Sequence, residues 1–466
     1  MNIQIPSPRE FSRPAKALVD GGAVATFGDA QTLLARTRPQ IITGPDCVTV
    51  ARHAALLTAV ETTRRAFGEV DVHLPRRVAD ALCTMPGQNH STVAEVVRDS
   101  GGRLVTIDAL ATTVPTIVIG TTAWVADITL QVTWDRWVAH VDHGGRHLPE
   151  RGNMTLSAVA AAALAVTECF KRTLGTLEAC HRNRTLNLWR PGQDHHADSM
   201  APADDDTAGP DLRHLPSAVW FVGLGHLGQA NAWCWTLLPY ADAAECEIYL
   251  QDFDKVNRAN HTTGMFVSAS DEGVMKTRVV ADALEQAGFA TRMIERRLLA
   301  ETRRHDTEPG LALLGVDKVE PRRLISDIGW KLAIDVGLGS GPIDFTAVSI
   351  HTFPATKHSK DVAAWQTNGS SRRSETAQEQ KAYRDARAAG ADACGLIQLA
   401  ETAVAAPFVG VVAACLAIAE PLRILHGEPA NTSLTFDIGR LARPRSTLGT
   451  TTPRIGFVSA ATLADV

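Results

Sequence analysis

Ala218-Val-Trp-Phe-Val222 runs directly into Gly223-Leu-Gly225-His-Leu-Gly228. An apolar run closed by glycine reads as a buried strand, and the glycine spacing as a tight turn opening a helix. Such a turn lets backbone amides approach a phosphate, with the helix N-terminus facing the anion. Taken alone, GxGxxG is weak evidence. Working outward, a second apolar run ends in Asp252-Phe-Asp254, followed by Val256, Asn260 and Gly273-Val-Met-Lys276. Further on, Leu311-Ala-Leu-Leu-Gly315 leads to Asp317. Expected strands are Ala218–Val222, Glu247–Asp252, Thr291–Arg296, Leu311–Val316 and Leu332–Val336. Expected helices are Leu227–Leu238, Gly273–Ala287 and Pro321–Trp330. Strand and helix alternate, which predicts a Rossmann-like, doubly wound α/β sheet with ligands at the carboxyl ends of its strands.

Each polar residue also has a plainer reading. Lys276 could be an exposed helix cation, and Asp317 a helix N-cap. An acid at Asp252 or Asp254 binds ribose hydroxyls in nicotinamide enzymes as well as in ATP enzymes. Placed together on successive strand ends of one sheet, these residues favour a nucleotide triphosphate with a divalent cation at Asp317.

The chain contains this unit twice. Val159–Gly175 and Val411–Gly427 align without a gap and share Val, Ala, Ala, Leu, Ala, Glu and Gly positions. Each follows an apolar, β-rich run, Ile128–Val141 and Phe345–Phe353. Each half also has a short strand ending in glycine, Pro115–Gly120 and Leu311–Gly315. The expected organisation is a first unit over 1–186, a linker over 187–214, and a second unit over 215–466 with a polar crossover loop near 355–393. His195-His196 and Asp204-Asp-Asp206 fall in the linker and read as solvated rather than metal-binding.

The bulk numbers narrow the classes. The 466 residues are 45% hydrophobic and 21% charged, enough for two or three cores. A net charge of −5 without a Lys/Arg block argues against a nucleic-acid partner. The eight cysteines form no CxxC pair, so a reduced, cytoplasmic location is expected and a disulfide framework is not. MNIQIPSPREFSRPAK lacks a signal-type apolar core. Thr402–Ala419 is uncharged and approaches membrane-span length, but Pro407 lies inside it and Glu401 and Glu420 flank it. A buried helix, and no membrane, is the expectation.

The stretch from about Ser217 to Gly339 resembles the ThiF/MoeB and ubiquitin-activating enzyme superfamily, and in its doubled form the activating enzymes of bacterial ubiquitin-like conjugation operons. That family shows GxGxxG, then DxDxVxxSNLNRQ, GxxK, and a strand ending in aspartate followed by arginine. The matching residues here are Gly223, Gly225 and Gly228; Asp252, Asp254, Val256 and Asn260; Gly273 and Lys276; Asp317 and Arg322. The resemblance implies an adenylation domain using ATP and Mg²⁺, preceded by an inactive copy as a built-in pseudo-dimer. It implies that Asp254 meets the ribose, Asn260 and Lys276 the phosphates, and Asp317 the Mg²⁺. The acceptor would be the C-terminal carboxylate of a ubiquitin-like protein, with a conjugating enzyme as a further partner. Thioester transfer would need a cysteine, and Cys394, beside the polar loop, is the candidate. The zinc clip of many members is not expected.

One position departs from the pattern. The family's phosphate-binding arginine three residues after the asparagine is Thr263 here. Arg258, Arg278 and Arg322 are candidates to replace it. So is Arg13 in Phe11-Ser-Arg13, which resembles the N-terminal arginine that reaches into a partner's site. The first half's counterpart turn, Thr43-Gly-Pro-Asp-Cys47, has one glycine. Open alternatives are an adenylyltransferase without a thioester step, a nicotinamide-dependent oxidoreductase, and a catalytically degenerate scaffold.

Overall fold

Strands that are apolar on both faces need helices on both faces, and each half of this chain supplies them. The computed structural model describes residues 12–192, 205–366, 380–390, 393–441, 444–449 and 460–464. In the first half, α1 (Arg13–Asp20) and α2 (Phe27–Thr37) precede β1 (Gln40–Thr43) and α3 (Val50–Phe67). β2 (Asp71–His73), β3 (Arg103–Leu104), β4 (Thr116–Ile119), β5 (Thr129–Asp135) and β6 (Val138–Asp142) follow. The half closes with α4 (Thr155–Thr173) and β7 (Arg184–Asn187). Its sheet order is β3-β2-β1-β4-β5-β6-β7, parallel as far as β5 and antiparallel thereafter.

The second half repeats this plan. After β8 (Leu215–Pro216) come β9 (Ala218–Val222), α5 (His226–Thr236), β10 (Glu247–Gln251), α6 (Lys276–Gln286) and β11 (Ala290–Ile294). Then come β12 (Leu311–Leu314), β13 (Leu332–Leu338) and β14 (Ala347–Phe353). The chain next forms α7 (Lys381–Ala388), α8 (Ala393–Glu401) and α9 (Pro407–Leu425). β15 (Asn431–Asp437), β16 (Arg445–Leu448) and β17 (Ala460–Ala461) complete it. The order β11-β10-β9-β12-β13-β14-β15 matches the first sheet strand for strand, with β16 added at the edge. The winding reverses beside β9, and the crevice there is where such sheets bind ligands.

The two halves meet through helices. α4 and α9 each span 19 residues, and the ungapped sequence alignment superimposes their ends. α4 packs on α3, α9 on α5, and α4 on α9. Alanine on these faces lets the helix axes come close. α9 is long and apolar enough to cross a membrane, but it is buried in protein along its apolar length. The aligned glutamates do the same work in each copy. Glu168 pairs with Lys171 at 2.8 Å and accepts from the Cys180 amide, while Glu420 pairs with Arg423 at 2.7 Å and accepts from the Asn431 amide. Each ties the end of its helix to the chain leading into the next strand.

Several boundaries differ from the sequence reading. Residues 273–275 are not helical: Val256 N–H donates to Val274 O and Gly273 N–H to Val256 O, so α6 starts at Lys276. The helix expected over Pro321–Trp330 is two short ones, Val319–Arg323 and Ile325–Ile328, stopped by Gly329 at φ +98°. The run Ile128–Val141 folds back on itself at Arg136, making β5 and β6 antiparallel neighbours. Helix α9 begins at Pro407, where proline suits the first turn, rather than at Thr402. The paired histidines 195 and 196, Asp204 and the polar stretch 367–379 lie outside the described residues.

Phe170 of α4 is fully buried and touches rings from both halves: Phe67 at 6.0 Å, Phe345 at 6.0 Å and Phe408 at 5.3 Å. Phe170→Ala should cost about 3–5 kcal/mol, read from urea unfolding, because the cavity opens in the joint between the halves. A loss below about 1 kcal/mol would show that this aromatic cluster does not hold the halves together.

Candidate functional site

The glycine turn after β9 is built so that the chain doubles back on itself. Gly223 has φ +80°, and a Cβ on Gly228 would lie 1.8 Å from the Gly223 carbonyl oxygen. Neither position accepts a side chain. A Cβ on Gly225 would meet only open space, so nothing crowds the chain just before α5. No side chain caps that helix end. This is a cradle that a phosphate fits.

Asp252 holds the turn in shape. Its carboxylate accepts from the amides of Leu224 at 2.6 Å, Phe253 at 2.7 Å and Asp254 at 2.9 Å. With its oxygens turned to the backbone and its side chain buried, the group available to a ligand at this strand end is Asp254. Asp254 is half exposed and pairs with Lys276 at 3.0 Å. Lys276 is 8% exposed and opens α6, which brings its ammonium beside the β10 end. Asn260 ends a short turn, where its Oδ1 accepts from the Asn257 amide at 2.9 Å. Asp317 lies exposed just beyond β12.

Thr263, which stands where the family pattern has arginine, is met by a cation from the other half. Arg13, from the N-terminal helix of the other half, donates through Nη1 to Thr263 Oγ1 at 3.3 Å and through Nε to Ala403 O at 2.8 Å. Its backbone amide donates to Thr262 Oγ1 at 3.2 Å. Burial lowers the Arg13 pKa to about 10, with the charge of Asp317 opposing the shift, so the guanidinium stays protonated at neutral pH. The other three arginines are engaged elsewhere. Arg258 pairs with Glu272 and Arg278 with Glu295. Arg322 donates to Val316 O at 2.6 Å and Val336 O at 3.2 Å, and so braces the turn that carries Asp317.

The structure therefore brings Gly223, Gly225, Gly228, Asp252, Asp254, Asn260, Lys276, Asp317 and Arg13 to one rim. Cys394 lies in the first turn of α8, and its side chain is outside the described residues. α8 packs against the Arg258–Asn260 turn, so this helix borders the rim. The seven cysteines with described side chains are all buried. Burial pushes the Cys47 thiol up to about 12 and Cys246 to about 11, which suppresses the nucleophilic thiolate. His226 opens α5 beside Arg13, and burial followed by that cation pushes it down to about 3, leaving a neutral ring.

Sequence reasoning missed Gln229, whose side chain donates to Leu224 O at 3.1 Å and accepts from the Phe266 amide at 3.1 Å. It links the glycine turn to the loop after Asn260. It also missed Asp335, fully buried on β13, 3.4 Å from Arg322 and without a hydrogen bond. Burial raises its pKa to about 6, against the opposing effect of Arg322. The folded protein thus holds a proton that the unfolded chain, with a carboxylate near 3.8, releases between about pH 4 and 6. Stability contributed here falls as pH rises through that window, by at most about 1.4 kcal/mol per pH unit. His351, across the ladder, is pushed down to about 4 and acts in the opposite sense. Subtracting Asp335→Asn from wild type in urea unfolding at pH 4.5 and 6.5 isolates the carboxylate. The variant should gain on wild type at the higher pH, and a difference independent of pH would contradict the assignment.

The family model described as the BilD N-terminal domain matches residues 38–188, and that of the BilD C-terminal domain matches 215–428. The bacterial E1-like protein BilD of Collimonas sp. (strain OK412) is 38% identical over 432 residues, covering 90% of this chain and 89% of that protein. Among solved structures, Escherichia coli MccB is 14% identical, covering 72% of this chain and 97% of its own, with a TM-score of 0.35. The E. coli tRNA N6-threonylcarbamoyladenosine dehydratase TcdA is 14% identical over 45% of this chain and 86% of its own, with a TM-score of 0.28. With both halves matched in order and a relative similar along nearly the whole length, the chain belongs to the BilD family of bacterial E1-like proteins.

Proposed function

We propose that this protein uses ATP to adenylate the C-terminal carboxylate of a ubiquitin-like protein and then carries it as a thioester on Cys394. The observation that carries the reading is Arg13 seated on Thr263. It returns a cation to the one position where the phosphate-binding pattern lacks it.

In the first step a carboxylate oxygen attacks the α-phosphorus of ATP. The bond to the β-phosphate bridging oxygen breaks, pyrophosphate leaves, and an acyl-adenylate forms. No base is needed, because the carboxylate is ionised at neutral pH. Catalysis rests on orientation and on charge neutralisation around the leaving phosphates. The amides of Gly225–Gly228 cradle phosphate oxygens, Lys276 and Arg13 offset the charge building on pyrophosphate, and Asn260 orients the chain of phosphates. Asp254 accepts from the ribose hydroxyls. Asp317, exposed and oxygen-bearing, suits a hard divalent cation, and bound Mg²⁺ would supply further neutralisation of phosphate charge. In the second step the Cys394 thiolate attacks the acyl carbon, AMP leaves, and a thioester remains for transfer to a conjugating enzyme. A cytoplasmic setting suits a free thiol.

ATP–pyrophosphate exchange, with and without a candidate ubiquitin-like protein from the same source, tests the first step. Asp317→Ala should lower exchange about 100-fold or more, and Arg13→Ala should raise the KM for ATP. Exchange unaffected by either change would remove them from the reaction. For the second step, Cys394→Ala should keep exchange and lose the thiol-reducible conjugate. A conjugate that survives the substitution would place the nucleophile elsewhere.

A further inference from the structure

The loop His261–Val267 links Asn260 to the rest of the second half, and it has no regular ladder to hold it. Met265 and Val267 are buried, and the loop borders a cleft of about 940 Å³ lined from both halves. Neither ring nitrogen of His261 has a hydrogen-bond partner, so that side chain is no anchor. Backbone carbonyls facing such a cleft still need donors. They find them on a single residue of the other half. Arg65, near the end of α3, donates through Nη1 to His261 O at 2.9 Å and Val267 O at 2.9 Å, and through Nη2 to Met265 O at 2.8 Å. Its Nε is held by Glu61 at 3.0 Å. Arg65 is 5% exposed. A planar guanidinium with five fixed donors can close such a loop in one geometry.

We propose that Arg65 is a positioning residue for the nucleotide site, through which the half without the glycine turn of the second sets where Asn260 and the Arg13–Thr263 pair stand. It touches no reacting atom. It fixes the ends and the middle of the loop by their carbonyls, and Thr263 lies between those points. Misplacement of phosphate contacts by about 1 Å can cost up to a hundredfold. This inference rests on the adenylation reading above for its kinetic consequence, though not for its structural one.

The test uses the full chain. Arg65→Ala should raise the KM for ATP about tenfold in pyrophosphate exchange while leaving the KM for the carboxylate substrate unchanged. Arg65→Lys, which keeps the charge but not the planar fork, should recover only part of that loss in KM for ATP. A purely structural role would lower the active fraction at unchanged KM, and that result would overturn the proposal. Amide hydrogen exchange on the nucleotide-free protein gives the second readout. Loss of protection confined to residues 258–267 in the lysine or alanine variant supports the clamp, and unchanged protection there overturns it. Should the wild-type protein catalyse no exchange, the adenylation reading fails by itself, and the amide measurement still decides the clamp. Glu61→Gln, which weakens the hold on Nε, replaces Arg65→Ala if that variant does not fold.

Discussion

Two alanine-rich helices of equal length, α4 and α9, lie against one another at the centre of the molecule. Everything at the site depends on that contact. Small side chains permit the approach, and close-packed interiors do not absorb displacements of an ångström without cost. A buried glutamate on each helix then fixes the start of the following strand. The sheets are thereby held in one relative position. Only in that position do α1 and α3 of the first half deliver Arg13 and Arg65 to the second.

The electrostatics of the rim follow from this joint. A site for phosphates needs cations, but the second half commits its nearby arginines to other tasks. Arg258 and Arg278 neutralise exposed glutamates, and Arg322 braces the Asp317 turn while facing the buried Asp335. Moving Arg322 would leave the carbonyls it holds unpaired, and the buried one, on Val336, would cost about 1–3 kcal/mol. Position 263 is different. Thr263 is buried with only its hydroxyl to offer, and it receives a guanidinium from outside its own unit. On the proposed function the first half is then more than an idle copy. One supplies the cradle and the other supplies charge and order.

Much of this was legible in the amino-acid sequence, and the reason is local. The glycine turn, the acids at strand ends and Lys276 announce themselves because each acts close to its own position in the chain. The repeat was visible because α4 and α9 keep the same residues in the same order. The errors are also local in origin. Helix α6 loses its first expected residues because Gly273 and Val274 bond back to Val256, and periodicity cannot register that competition. The carboxylate of Asp252, a candidate ribose ligand, accepts from amides of the turn it closes, and the sequence does not show those partners. Arg65 and Gln229 could not be found at all. Their partners are backbone groups, which look alike in every sequence, and for Arg65 they lie about 200 residues away.

Arg13 and Thr263 belong to one polypeptide, separated by 250 positions. In a site shared between separate subunits, completion is a binding equilibrium and weakens on dilution. Here a tether replaces that equilibrium, and the local concentration of the incoming guanidinium is set by the fold rather than by the cell. Symmetry is no longer required either. A sequence that must serve both sides of a two-fold interface is constrained twice, whereas each half of a fused chain is constrained once. The first half could lose its glycine turn, and the second its own arginine, without either loss being doubled.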